Sequence, residues 1–209
     1  MAALTAADAR AFERCMAVEK VAVIPADTVY GLACAPESRE GVRRLYALKR
    51  RRPGQPAAVL FFRRSFALAA LPDLGPRTRD ALVALLPGPV TLLLANPAAR
   101  FPLACGAGGD GSVLGLRVPA LAPATAALGA VRRPVLQSSA NLAGEPEARR
   151  LDDVDAGIRA GADLLLDGGE LPGVASTIVD LTGYEGAGAW TVVREGALPT
   201  AAVAAVLRP

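Results

Sequence analysis

Apolar residues in this chain of 209 residues occur in short runs, and each run stops at a proline, a glycine or a charged residue. Val21–Ile24, for example, is largely β-branched and ends at Pro25, which is typical of a short buried strand. No run approaches the roughly 18 uninterrupted apolar residues of a membrane-spanning helix, so we predict no membrane span. The chain must therefore fold from short elements that share a core.

The periodicity of these runs predicts both strands and helices. Strands are predicted at Val21–Ile24, Ala57–Phe62, Val90–Leu94, Val113–Val118, Pro134–Gln137, Asp163–Leu166, Ser176–Leu181 and Trp190–Val193. Helices are predicted at about 5–19, from Ser38 to about Lys49, and at about 76–86, 122–130, 152–160 and 199–207, with Thr5 and Ser38 as N-caps. Several late strands follow one another directly. We therefore predict an α/β fold, a mixed sheet with packed helices, in a single domain over residues 1–209.

Histidine is absent from the sequence, and its absence excludes several kinds of chemistry. Ser-His-Asp and Cys-His triads, His-ligated zinc and a histidine general base all require it. The cysteines Cys15, Cys34 and Cys105 are scattered and odd in number, which favours a reducing, cytoplasmic location over a disulfide framework. Any catalysis must depend on other polar side chains or on a bound metal.

The net charge of +3, from 23 basic and 20 acidic residues, is uninformative, but the basic residues are unevenly placed. Nine of them lie between Arg39 and Arg64, where the one acidic residue is Glu40. We expect this segment to make one face electropositive, which suits an anionic partner such as a nucleotide or RNA.

The first candidate ligand segment contains Asp27, Thr28 and Tyr30 and follows the first predicted strand. Open α/β sheets bind ligands at the carboxyl ends of their strands, so these side chains are candidate contacts. The alternative is a strand-to-helix turn in which Asp27 or Thr28 caps the next helix.

The second segment contains Lys49 and Arg51, where a predicted helix gives way to a loop of glycine and proline. A lysine point charge and a planar arginine fork at this spacing can converge on one polyphosphate. The alternative is a solvated basic helix end that complements the helix dipole. The glycine-rich loop Gly106–Gly111 is not a P-loop, because it lacks the Lys-Ser/Thr pair and no helix follows it.

The third segment, Gln137–Gly144, contains Ser139 and Asn141, which can either bind a ligand or stabilise a turn. Ser139 is not predicted to be a nucleophile, because no Gly-x-Ser-x-Gly elbow surrounds it and no histidine can activate it.

The fourth segment contains Ser176, which either contacts a ligand or begins a strand, and Arg194 lies beyond it. Arg117 stands inside an apolar run. Because burying an unpaired charge is costly, Arg117 needs an anionic ligand or an internal carboxylate as its partner.

In their order along the chain, these motifs resemble the YrdC-like family, whose principal members are threonylcarbamoyl-AMP synthases. The motifs are Pro-x-Asp-Thr-Val-Tyr-Gly-Leu, Lys-x-Arg, Pro-Gly-Pro-Val-Thr, Leu-Arg-Val-Pro, Ser-Ser-Ala-Asn-Leu-x-Gly, Ala-Ser-Thr-Ile-Val-Asp and Val-x-Arg-x-Gly. They extend from about residue 20 to about residue 197. The resemblance implies a YrdC-type α/β domain with a twisted mixed sheet around a concave electropositive site.

The resemblance also implies a nucleotidyltransferase reaction in which ATP, bicarbonate and L-threonine give threonylcarbamoyl-AMP and pyrophosphate, with Mg²⁺ accompanying ATP. A separate transferase complex would then modify adenosine 37 of tRNA. The residues implied in catalysis are Lys49 and Arg51, and those implied in nucleotide binding are Lys49, Arg51, Ser139, Asn141 and Arg194. The residues implied in threonine binding are Asp27, Thr28, Tyr30, Arg117 and Ser176; no protein ligand to a metal is implied.

Two features depart from the family pattern, both on the threonine side. Ala26 stands where the family usually has threonine, and the stretch Gln55–Phe62 lacks the histidine of the family's Asn-Pro-Leu-x-x-His motif. These departures and the Arg39–Arg64 cluster leave one alternative, a paralogue that binds double-stranded RNA or tRNA without threonine chemistry. A further alternative is an adenylating enzyme for another amino acid or a carbamoyl donor.

Overall fold

The structure is a computed structural model that describes residues 3–52, 54–106 and 111–207. Its strands are β1 (Ala22–Pro25), β2 (Tyr30–Cys34), β3 (Ala58–Leu60), β4 (Val90–Ala95), β5 (Val113–Arg117), β6 (Val135–Ser139), β7 (Leu164–Leu165), β8 (Thr177–Asp180) and β9 (Thr191–Arg194). Its α-helices are α1 (Ala6–Ala17), α2 (Arg39–Leu48), α3 (Arg64–Ala70), α4 (Pro76–Leu85), α5 (Ala156–Gly161), α6 (Tyr184–Ala187) and α7 (Thr200–Val206), and 3₁₀ segments occur at Pro123–Ala130 and Leu151–Asp153. Pro53 and most of the predicted glycine-rich loop Gly106–Gly111 lie outside the described residues.

These strands form one sheet in the order β7-β1-β2-β6-β3-β5-β4-β8-β9. Neighbouring strands are antiparallel, except that β1 with β7, β3 with β5 and β4 with β8 run parallel. The predicted α/β fold, with a mixed sheet and packed helices, is confirmed.

Thr5 and Ser38 begin α1 and α2 as predicted. The Thr5 hydroxyl accepts the backbone N–H of Asp8 at 3.3 Å, and the Asp8 carboxylate accepts the N–H of Thr5 at 2.8 Å, which completes a capping box. The Ser38 hydroxyl accepts the N–H of Gly41 at 2.9 Å. Local sequence therefore determines where these two helices start.

The chain after β1 turns back as a strand, and the predicted alternative of a helix capped by Asp27 or Thr28 is wrong. The turn closes with a hydrogen bond from the N–H of Ala26 to the carbonyl of Val29 at 3.4 Å. All five residues of the following strand, β2, are buried, and β2 pairs with both β1 and β6. Pairing on both edges outweighs the local turn signal, because the buried backbone groups need partners.

Other elements also differ from the sequence prediction. β6 continues through Ser138 and Ser139, because these residues pair with Leu32 and Gly31 of β2. The helix predicted at 152–160 is divided, since the Asp155 carboxylate accepts two backbone N–H groups and starts α5 there. The helices α3 and α6 have seven and four residues and were not predicted.

The two faces of the sheet pack against different elements. On one face, strand residues such as Leu92 share a core with Leu45 of α2 and Leu82 of α4. On the other face, Leu60 of β3 shares a second core with Phe12 of α1. Alternate residues of a strand share a face, so Ala58, which lines a cavity, lies on the same face as Leu60. The cavity therefore lies on the same face of the sheet as α1.

Within the described ranges, no helix is long and apolar enough to cross a membrane. The three cysteines are buried and free of disulfides.

Candidate active site

A cavity of about 570 Å³ is lined by residues of β3–β6, β8 and β9 and of the loops after α2 and β6. Among the described lining residues, the charged ones are Lys49, Arg51, Arg117, Arg194 and one acid, Glu147. A cavity of this volume suits a small-molecule ligand. Its excess of cations favours an anionic one.

Lys49 follows α2 as its C-cap residue and is only 3% exposed. Its ammonium donates to the carbonyl of Asn141 at 2.7 Å, to Oδ1 of Asn141 at 3.0 Å, and to the carbonyl of Ser139. The Ser139 hydroxyl in turn donates to Oδ1 of Asn141 at 2.6 Å. The solvated helix end considered as an alternative is therefore wrong for Lys49, whose charge is held in the cavity wall.

Burial, together with the nearby Arg51, lowers the pKa of Lys49 to about 8. Glu147 acts in the opposite direction, because an anion favours the charged ammonium. The ammonium is therefore largely charged at neutral pH and loses its charge about one unit above it. A bound phosphate would stabilise the charged form further.

The backbone at Arg50 brings Arg51 to the same cavity. Arg50 has a φ of 50°, in the left-handed region, and this change of direction ends the helical path after Lys49. Arg51 then donates from Nη1 to the Ser138 hydroxyl at 2.9 Å, and its guanidinium lies 5.4 Å from the centroid of the Tyr46 ring. Lys49 and Arg51 thus both line the cavity, Lys49 through its contacts with Asn141 and Arg51 through its contact with Ser138.

Arg117 is 4% exposed and is paired with Asp27, an internal carboxylate of the kind predicted. Its Nη2 donates to Oδ1 of Asp27 at 2.7 Å and to the Thr28 hydroxyl at 3.1 Å. Oδ2 of Asp27 accepts the N–H of Ala120 at 3.0 Å. Burial raises the pKa of Asp27 and lowers that of Arg117, and each charge opposes the shift of the other. Asp27 and Thr28 therefore position Arg117 and are not among the cavity-lining residues.

Gly31 allows the third contact of Arg117. A β-carbon at Gly31 would lie 2.3 Å from Nε2 of Gln137, so a larger residue there would displace this side chain from its present position. Gln137 lies across the backbone of β2, and its Oε1 accepts from Nη1 of Arg117 at 3.3 Å. Nε of Arg117 is buried without a hydrogen-bond partner among the described residues. Burying a donor without a partner costs about 1–3 kcal/mol.

Ser176 and Arg194 lie together on the opposite wall. The Ser176 hydroxyl is 2.8 Å from the Thr91 hydroxyl, and the Ser176 carbonyl accepts from Nη2 of Arg194 at 2.7 Å. Ser176 is 5% exposed, whereas Arg194 is exposed. Thr177, the next residue, begins β8.

Tyr30 is fully buried and its side chain faces away from the cavity. Its hydroxyl donates towards Asp167 at 3.0 Å and Gly169 at 2.8 Å and accepts the N–H of Gly168 at 3.1 Å. Burial and the Asp167 carboxylate raise the pKa of this hydroxyl. In this structure Tyr30 joins β2 to the segment after β7.

The two departures from the family pattern are both buried positions. Ala26 is 3% exposed in the turn after β1. Leu60, which stands at the position of the missing histidine, is fully buried and lies beside Arg117 in the pairing of β3 with β5. An apolar side chain thus replaces a polar one next to Arg117.

Glu147 is the charged lining residue that the sequence reasoning missed. It is partly buried, and its Oε2 is shielded from solvent without a hydrogen-bond partner in the described structure. It lies in an irregular loop after β6, outside the recognised motif, so neither periodicity nor spacing singles it out.

The basic cluster Arg39–Arg64 is largely engaged within the chain. Arg43 pairs with Glu40, Arg44 with Asp163, and Arg64 donates to the carbonyls of Val83 and Leu86. The exposed members are Arg39, Arg43, Arg50, Arg52 and Arg63. Two members of the cluster, Lys49 and Arg51, therefore line the cavity, and others pair with carboxylates or backbone carbonyls elsewhere in the chain.

The described residues contain no group of three or more His, Cys, Asp or Glu side chains that could hold a metal ion. Magnesium in nucleotide sites is bound mainly by phosphate oxygens, water and one or two carboxylates. A magnesium ion that arrives with a nucleotide therefore does not require a cluster of three protein ligands.

Comparison with known proteins identifies the family. The model of the family described as "Telomere recombination", which groups Sua5, YciO and YrdC, matches residues 14–196. The chain belongs to the Sua5/YciO/YrdC family, and the resemblance inferred from the motifs is confirmed. It is 34% identical over 153 residues to the threonylcarbamoyl-AMP synthase of Sodalis glossinidius, a match that covers 71% of this chain and 77% of that protein. It is also 34% identical over 163 residues to the synthase of Xanthomonas campestris pv. campestris, covering 74% and 82%.

Solved structures show the same fold. A variant of P. abyssi Sua5 superposes with a TM-score of 0.83 at 25% identity, covering 98% of this chain and 61% of that chain. E. coli YciO superposes with a TM-score of 0.75 at 21% identity, covering 94% and 92%. This chain therefore spans less than two thirds of the Sua5 chain and nearly all of the YciO chain.

We expect Asp27→Asn to destabilise the fold by about 3–5 kcal/mol, because it leaves the buried Arg117 without its counter-charge. Chemical denaturation measures the free energy of unfolding. Asp73→Asn is the matched control, because it breaks the more exposed Asp73–Arg100 pair and should cost less than about 1 kcal/mol. Equal losses in the two variants would contradict this account of Asp27.

We expect Tyr30→Phe to lower the free energy of unfolding by about 1–3 kcal/mol, because the buried backbone groups of Gly168 and Gly169 lose their hydrogen bonds to the hydroxyl. The KM for threonine should change less than about twofold, since the hydroxyl faces away from the cavity. An unchanged stability with a raised KM would show instead that Tyr30 contacts the substrate.

Proposed function

We propose that this chain is a threonylcarbamoyl-AMP synthase that forms threonylcarbamoyl-AMP and pyrophosphate from ATP, bicarbonate and L-threonine. The observation that carries the proposal is the buried ammonium of Lys49, held by Ser139 and Asn141 beside Arg51 in a cation-lined cavity. The relatives that bear this name support it, since this chain covers more than two thirds of their length. The comparisons do not support the alternative of an RNA-binding paralogue without threonine chemistry.

The cavity can catalyse this reaction mainly by positioning. The threonine amine and bicarbonate form a carbamate with loss of water, and a carbamate oxygen attacks the α-phosphorus of ATP as pyrophosphate leaves. Such a displacement needs alignment and compensation of phosphate charge more than a side-chain nucleophile. A chain without histidine can therefore perform it.

Lys49 and Arg51 are the residues proposed to neutralise the phosphates. Ser139 and Asn141 orient the Lys49 ammonium and are proposed, with Arg194, to contact the nucleotide. Arg117 and Ser176 are proposed to face threonine. Asp27 and Thr28 serve threonine binding indirectly, by fixing the guanidinium of Arg117.

Magnesium is proposed to arrive with ATP and to supply charge neutralisation at the phosphates. A cytoplasmic location, contact with tRNA and delivery of the product to a threonylcarbamoyl transferase complex are further parts of the proposal. The exposed arginines of the Arg39–Arg64 cluster are candidate contacts for tRNA.

The proposal is tested by pyrophosphate release that depends on ATP, bicarbonate and threonine together. We expect Lys49→Met to lower the rate of pyrophosphate release about 100-fold or more, because removing one donor that stabilises transition-state charge has an effect of this size in other enzymes. Lys20→Met is the matched control, because Lys20 is the other lysine of the chain and is exposed. A Lys49→Met variant that folds, by circular dichroism, and retains full activity would refute the role of this residue.

The pKa of Lys49 predicts how activity depends on pH. With a pKa of about 8, lowered by burial, the ammonium loses its proton as the pH rises through 8. Phosphate binding needs the charged form, so kcat/KM for ATP should fall above about pH 8. Lys20→Met should keep this profile. A value of kcat/KM that stays constant to pH 9.5 would contradict the assignment.

A further inference from the structure

Glu147 is the one acidic residue among the described residues that line the cavity. Its Oε2 is shielded from solvent and accepts no hydrogen bond within the described chain. Leaving a carboxylate oxygen in this condition is expensive, because charged groups lose more than neutral ones when they are desolvated without a partner. The described chain thus leaves this oxygen uncompensated, on a side chain that lines the cavity.

The position of Glu147 is fixed by its neighbour in the chain. The carbonyl of Ala148 accepts the backbone N–H of Tyr30 at 3.0 Å, and Ala148 is 2% exposed. This bond attaches the Glu147 loop to the first residue of β2. Val29, which precedes Tyr30, also lines the cavity. Glu147 thus stands next to the Asp27–Tyr30 segment, which positions Arg117.

Two residues that line this cavity each have a buried polar atom without a hydrogen-bond partner in the described structure, one a donor and one an acceptor. Glu147 offers an acceptor at Oε2, and Arg117 offers a donor at Nε. The Glu147 charge acts on Arg117 and on Lys49. An α-amino acid carries a complementary pair, an ammonium that donates and a carboxylate that accepts.

We propose that Glu147 binds the α-ammonium group of the amino-acid substrate. The proposal rests on the proposed function and deepens it, because it assigns recognition of the amine to a residue of this chain. The ammonium is the one organic cation among the three proposed substrates, and Glu147 is the one anion among the described cavity-lining residues. A single ammonium–carboxylate pair would compensate both charges.

A magnesium ion is the competing cation for Glu147. Protein-bound magnesium prefers several oxygen ligands, and no second carboxylate is among the described residues that line the cavity. Lys49 and Arg117 both lie within electrostatic range of the Glu147 carboxylate. Two neighbouring cations repel a divalent ion more strongly than a monovalent ammonium.

The test compares the binding of L-threonine with that of 3-hydroxybutyrate, which is threonine without its amino group. Isothermal titration calorimetry with the whole chain, in EDTA so that magnesium is absent, gives both dissociation constants. We expect the wild type to prefer threonine at least tenfold. Glu147→Gln should weaken threonine binding about ten- to hundred-fold and leave 3-hydroxybutyrate binding unchanged or tighter.

Glu145→Gln is the matched control, because Glu145 lies two residues away and is exposed. Its backbone carbonyl, which accepts from Asn141, is unaffected by the change. This variant should keep the wild-type preference for threonine. Glu147→Asp retains the charge and should keep part of the preference, and melting temperatures show whether each variant folds.

The outcomes separate this inference from the proposed function. If Glu147→Gln binds threonine as tightly as the wild type, the inference is overturned and the proposed function stands. If its defect appears only when magnesium is added, Glu147 binds the metal and the inference is likewise overturned. If the wild type binds no threonine, the proposed substrate is wrong and the inference fails with it.

Discussion

The buried ammonium of Lys49 is the interaction on which the rest of the site depends. Removing a lysine charge from water is costly, and the structure offsets this cost with carbonyl and amide oxygens at the end of β6. These acceptors are available because β6 runs on to Ser139 and the chain then turns at Asn141. The same contacts join the loop after α2 to the sheet and hold a positive charge at the cavity wall, which is what a phosphate-binding site requires.

A second buried charge, on Arg117, organises the other side of the cavity in a different way. Asp27 and Thr28 both accept from Nη2 of its guanidinium and Gln137 accepts from Nη1, while Nε has no hydrogen-bond partner among the described residues. The structure therefore pairs one buried cation with neutral oxygens and the other with a carboxylate. The neutral oxygens around Lys49 leave its positive charge available to a polyphosphate. The Asp27 carboxylate orients the guanidinium of Arg117 and leaves Nε without a hydrogen-bond partner in the described structure. Glu147 adds the single negative charge that the described lining contains.

Sequence reasoning succeeded where the signal is local. The caps at Thr5 and Ser38 and most of the strands follow from neighbouring residues alone. β2 was missed because Tyr30–Cys34 becomes a strand only through pairing with β1 and β6, and no short window contains both partners. Lys49 and Asn141 lie 92 residues apart, so their contact depends on the topology of the sheet. The order of the motifs pointed to one site, whereas the unpaired oxygen of Glu147 is visible only in three dimensions.

The proposed function requires this cavity to join bicarbonate and threonine to the α-phosphate of ATP without a histidine. The most direct measurement is mass spectrometry of the adenylate formed from ATP, L-threonine and ¹³C-labelled bicarbonate. We expect threonylcarbamoyl-AMP that carries one ¹³C atom and is not formed when threonine is omitted. An adenylate without the label, or no adenylate from a folded protein under any of these conditions, would contradict it.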